Sequence, residues 1–179
     1  MILGVSVLSK ETRERTADFL LVKPVSRQSI VTAKLLSAGT ILLTTNAVFY
    51  AAAAGMAGLA ATEQFDHWLF FLINLTLFFV QLIFLALGAA VSVFFSKLKG
   101  VLPVSLGVVF GLYVVGALLA ADASSSAARV LSPFQYFSPA YILEHAGYET
   151  AYLILGAAIV AIGTALTYFI YTRKDIHAV

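Results

Sequence analysis

Residues 10–34 read KETRERTADFLLVKPVSRQSIVTAK, the one long polar segment in an otherwise apolar chain. The segment holds six of the eleven Lys and Arg residues and three of the nine acids. Lys10 to Val22 suits a helix, with Ser9 as a cap and Glu11 and Glu14 near its start, where the helix dipole favours negative charge. Ala17, Leu20 and Leu21 share one face at three- and four-residue spacing. Pro24 ends that helix, because Lys23 before it is pushed toward extended geometry. Ser26 is positioned to cap a second helix that runs through Ile30 and Lys34 into the apolar sequence beyond. The pattern predicts a surface helix, a proline elbow and a helix climbing into a bilayer. An amphipathic interfacial anchor with no partner satisfies the same pattern.

Outward from this segment the chain is greasy. Of 179 residues, 61% are hydrophobic and 11% charged, and the mean hydropathy is +0.96. A soluble core cannot absorb that much apolar surface, so the chain reads as an integral membrane protein. It has no cysteine, hence no disulfide framework and no thiolate metal site. Four runs reach the roughly 20 residues a span requires: about 35–61, 69–96, 101–121 and 151–171. The expected fold is all-α, a polytopic transmembrane helix bundle with an amphipathic cytoplasmic helix. Residues 1–34 form the entry device and residues 35–179 the four-span domain. Met1 to Leu8 is apolar but too short to span, and reads as the end of an earlier, missing span or as a tail resting on the membrane.

Within the spans, Asn46, Asn74 and Gln81 are the expensive polar residues and the candidates for a substrate path, with interhelical hydrogen bonding as the commoner role for Gln81. Asn74-Leu75-Thr76 matches a glycosylation pattern but lies inside a span. The Ala- and Gly-rich end of the first span and Gly107-Val-Val-Phe-Gly111 offer small residues for helix contact. Trp68 opens the second span as an interfacial aromatic. Pro103 is tolerated in the first turn of the third. Between the third and fourth spans, Ser138 and Pro139 start a short helix at 139–146 that Gly147 ends. Glu144-His145 is one acid beside one His with no third ligand in reach, so no metal site is expected.

Charge sets the orientation. With four spans, Lys10, Arg13, Arg15, Lys23, Arg27, Lys34, Lys97, Lys99, Arg173 and Lys174 fall on one side and Arg129 alone on the other. This places the opening segment and the C-terminus in the cytoplasm. The spans contain no acid, Lys, Arg or His, which argues against an ion-driven carrier, and no nucleophile–base or metal constellation for an enzyme. No GxxxxGK[ST] loop is present. A membrane chain with no energy source of its own and a conspicuous docking helix suggests a motor on another subunit.

The residues Glu14, Arg15, Thr16, Ala17, Asp18, Phe19, Leu20, Leu21, then Lys23, Pro24, Val25, Ser26, Arg27, and Lys34 seven positions on, resemble the signature of ABC-2 type transporter permeases. Leu131 to Pro139, LSPFQYFSP, and the aromatic-Thr-Arg-Lys-Asp ending resemble that family as well. Many members have Gly before the Thr, where this chain has Arg15. The resemblance implies a coupling helix between the second and third of six spans, docked on a cytosolic ATP-binding subunit, and a short extracytoplasmic re-entrant helix before the last span. It implies that this chain lacks the first two spans. The expected role is the permease subunit of an ATP-driven exporter in the cytoplasmic membrane, working as a homodimer or heterodimer. ATP and Mg would be bound by the partner subunit and no cofactor by this chain. Glu14, Arg15, Thr16, Leu20, Pro24 and Arg27 are the expected partner contacts, and no nucleic acid is involved. The alternative is a membrane scaffold that recruits a partner without transport.

Overall fold

A computed structural model of the chain describes residues 1–13, 26–60, 66–95, 100–120 and 126–173. Seven α-helices and one 3-10 turn account for nearly all of them: α1 (Ile2–Arg13), α2 (Arg27–Ala60), α3 (His67–Phe94), α4 (Val101–Ala120), α5 (Ser126–Leu131), the 3-10 turn Pro133–Gln135, α6 (Pro139–His145) and α7 (Thr150–Arg173). No strand occurs among the described residues. Helices α2, α3, α4 and α7 are long and apolar enough to cross a membrane. The fold class is therefore the all-α transmembrane helix bundle expected from the sequence.

α2 has 34 residues. At about 1.5 Å per residue it is about 51 Å long, well beyond a hydrocarbon core of about 30 Å. It begins where expected: the Ser29 amide donates to Ser26 Oγ at 3.2 Å. The helix then runs unbroken past Lys34, so its first two turns carry the polar residues that a membrane core would reject. α3 is the hub. It packs against α1, α2 and α7 and is far more buried within the bundle than α2. Asp66 caps α3, its Oδ1 accepting from the Trp68 and Leu69 amides at 2.8 and 3.2 Å.

The α3–α7 seam is cut close by small residues. Gly156, Gly163, Thr167 and Tyr171 are the buried stripe of α7. A Cβ on Gly163 would lie 3.2 Å from the Ala86 carbonyl oxygen, and Thr167 Oγ1 turns back to donate to the Gly163 carbonyl at 2.7 Å. That internal bond lets a hydroxyl sit fully buried in an apolar seam at little cost.

α1 departs from expectation. Ser9 does not cap a helix beginning at Lys10; it lies inside α1, buried, with Oγ donating to the Val5 carbonyl at 2.7 Å. Val5 and Leu8 are buried on the same face, so the apolar stripe carries the helix through the serine. α1 crosses α3 with backbone against backbone: a Cβ on Gly4 would sit 2.3 Å from the Leu85 carbonyl oxygen, and one on Gly88 2.6 Å from that of Met1. Only two glycines permit that approach.

The small residues elsewhere behave differently. Nothing lies within 4 Å of a Cβ built on Gly55, Gly58, Gly107 or Gly111. The faces expected to pack closely are open in the isolated chain, apart from Gly116, which meets Ser132 below the cap.

Candidate functional site

Three polar constellations stand at three depths of the bundle. The first is at the end that carries Arg27, Lys34 and Arg173. Of the residues expected to contact a partner, Glu14, Arg15, Thr16, Leu20 and Pro24 lie outside the described residues, and Arg27 forms the first turn of α2, half-buried. The supports on either side are well defined. Leu8 of α1, Val31 of α2, Ala89 and Val93 of α3 and Tyr171 of α7 form one buried cluster. Lys34 Nζ donates to the Val7 carbonyl at 2.7 Å, tying α2 directly to α1. Thr32 Oγ1 and the Tyr168 hydroxyl are 2.7 Å apart, tying α2 to α7. Near the points where the chain leaves α1 and enters α2, both helices are thus joined to the same packed cluster.

The second constellation is at mid-depth. Asn46 Nδ2 donates to Gln81 Oε1 at 2.7 Å and to the Leu42 carbonyl at 2.8 Å. The structure brings these two candidates together as a bridge between α2 and α3. Asn74 stands apart, two turns from Gln81 toward the start of α3, with Nδ2 donating to the Phe70 carbonyl at 2.8 Å. The Asn46 bonds engage both of its Nδ2 hydrogens and the Oε1 acceptor of Gln81.

The third is a cap at the opposite end, built from α5, the 3-10 turn and α6. Only α6 was legible beforehand. Ser138 Oγ accepts from the Tyr141 amide at 3.5 Å and Pro139 occupies the first turn. The helix stops one residue earlier than expected: Ala146, not Gly147, takes the left-handed position, at φ 50°. Arg129 of α5 forms a two-pronged ion pair with Glu149 at the foot of α7, Nη1 lying 3.3 Å from Oε1 and Nη2 meeting Oε2. Its guanidinium also stacks 4.1 Å over the Tyr152 ring. The Glu149 hydrogen bond holds Arg129 above its already high pKa, against the opposing effect of burial. The Tyr136 hydroxyl donates to the Val130 carbonyl at 2.8 Å and Tyr148 to that of Leu72. Burial raises the pKa of both phenols. Phe79 and Phe137 each meet the Tyr148 ring edge to face.

Sequence reasoning missed the Arg129–Glu149 clasp. Twenty residues separate the partners, and the only cue was that Arg129 is the lone basic residue of its loop. Glu144 borders a cleft of about 500 Å³ beside the clasp. His145 stacks on Tyr141, with ring centroids 4.1 Å apart. No group of three metal-binding side chains occurs among the described residues.

Four membrane-length helices with polar bridges between them and a polar cap at one end define a multi-pass membrane protein. The family model described as ABC-2 family transporter protein matches residues 1–176, and the chain belongs to that family. Membership makes it a transporter's membrane subunit, not a catalyst. No curated protein and no solved structure matches the chain.

Proposed function

We propose that the chain is the permease subunit of an ATP-driven exporter, powered by a separate cytosolic subunit that docks on the segment between α1 and α2. The observation that carries this reading is the platform at the roots of that segment. Leu8, Val31, Val93 and Tyr171, with the Lys34–Val7 bond, join both ends of the segment to α3 and α7. A push on a segment anchored so firmly at both roots moves the bundle instead of being lost in a slack linker. The charge distribution supports placing this end, and the C-terminus, in the cytoplasm.

In this mechanism the partner binds ATP and Mg, and its closure is transmitted through Thr16, Leu20, Pro24 and Arg27 to α2. Glu14 and Arg15 supply charge for recognition. α2 then moves against α3, and the Asn46–Gln81 bridge is the polar point that must give way. The open small-residue faces of α2 and α4 suit contact with a second permease chain, identical or homologous. The cargo passes a route with few polar groups, which fits an amphipathic or hydrophobic substrate.

Purification of the tagged protein in mild detergent tests the reading. An ATPase should copurify, and replacing residues 14–27 by a neutral linker should abolish its capture while leaving the spans folded. Reversing the charges of Arg15 and Arg27 should lower both capture and substrate-stimulated ATPase. Unchanged capture and ATPase in both variants would leave the segment a lipid anchor and the chain a scaffold.

A further inference from the structure

A shallow groove of about 640 Å³ runs along the outer face of α7 toward its basic end, with Gln28 of α2 as one edge. We propose that this groove holds one anionic glycerophospholipid. The inference rests on membrane insertion alone and is independent of ATP coupling.

The groove is graded along its length. Ala161, Ala165 and Phe169 make a largely apolar floor beside Thr164, and Gln28, Tyr168 and Thr172 make its polar end. From Ala161 to Thr172 is about 16 Å along the helix axis, the depth of one leaflet's chains to its headgroups. Two alanines on one face open the groove to a hydrocarbon chain. Arg173, next to the groove and outside its lining, lies with its guanidinium 4.0 Å over the Phe169 ring. A guanidinium fixed over an aromatic ring with hydrocarbon below is shaped for a phosphate whose acyl chain descends beneath it. Arg27, Lys34 and Arg173 share this end, and the four-span reading of the sequence assigns ten of the eleven Lys and Arg residues to the same side, a surface suited to anionic lipid.

A second copy of the chain is the competing occupant of this face, and the cysteine cross-link below distinguishes it from lipid.

Native mass spectrometry of the detergent-purified protein, titrated with phosphatidylglycerol or phosphatidylcholine, tests the assignment. Phosphatidylglycerol should be retained at least five-fold better at equal concentration. Arg173→Gln should remove that preference and Arg173→Lys restore part of it. Ala165→Trp, a filling change at an exposed site, should reduce retention of both lipids. Equal retention of the two lipids, or phosphatidylglycerol retention unchanged by Arg173→Gln and Ala165→Trp, would overturn the proposal. So would efficient disulfide formation between Ala165→Cys copies in native membranes, a clean probe because the chain has no cysteine.

Discussion

Gly4 and Gly88 are where a single methyl group does most harm. Each Cβ would meet a backbone carbonyl oxygen, at 2.3 and 2.6 Å, and backbone cannot rotate away as a side chain can. Gly88→Val should cost about 2–3 kcal/mol or more and detach α1, read as a fall in thermal midpoint and new proteolysis near residue 10. Gly107→Ala, with open space around it, should leave both unchanged. Ala146 presents the opposite case: an L-residue in the left-handed position. Ala146→Gly should stabilise by about 0.5 kcal/mol, the relief of strain exceeding the added freedom of the unfolded chain. The choice of Ala146 over Gly147 was not legible in the sequence, because local preference favours glycine and the decision comes from the Trp68 Nε1 bond to the Ala146 carbonyl at 3.3 Å. Tyr136 and Tyr148 set an alkaline limit. Their folded pKa values are raised, so the stability they contribute is present below the ordinary phenol pKa of about 10 and is lost as pH climbs beyond it. The melting temperature should be flat from pH 6 to 9 as far as these groups act, and Tyr148→Phe should soften the fall above about pH 10.

Between elements, two polar links can be weighed. Asn46→Leu and Gln81→Leu should each loosen α2 from α3, and a double-mutant cycle should find a coupling of about 0.6–1.7 kcal/mol. Additive effects would mean that the 2.7 Å bond contributes nothing beyond packing. The Arg129–Glu149 clasp is about one-third exposed at both partners, so it should contribute no more than about 1 kcal/mol, with the Tyr152 stacking included. Its effect belongs to the cap: Arg129→Gln should raise amide exchange in α5 and the 3-10 turn and leave α3 protected. The four spans were legible because a membrane demands about 20 apolar residues in a row, and that demand is local. The caps of α2 and α6 were legible for the same reason, as Ser26 and Ser138 act within three residues. α5, the clasp and the course of α1 through Ser9 were not, since each depends on partners far away in sequence. Ser9 has the look of a cap until the burial of Val5 and Leu8 is known.

For the whole molecule, the family could be read from one segment and the two shorter patterns near the end, while the arrangement of the bundle could not. Asn46 and Gln81 were singled out separately, as costly groups, and their meeting follows from the register of α2 on α3, which no spacing rule supplies. Asn74, grouped with them by cost alone, instead satisfies itself on its own helix. The large open face of α2 and α4 carries a prediction at this scale: with Leu36, Leu43, Phe110 and Leu118 all exposed, the protein should aggregate on removal of detergent and recover a single monodisperse species in nanodiscs. The bond between Trp68 and Ala146 has an optical consequence. The chain contains one tryptophan, so all its indole emission reports the junction of α3 with the cap. Trp68 is already exposed, so lifting the cap would act on the indole by breaking that bond, and the change in its emission would report the event without any dye or label. Under the proposed ATP coupling, that change at one end of the bundle should follow nucleotide supplied to a partner at the other.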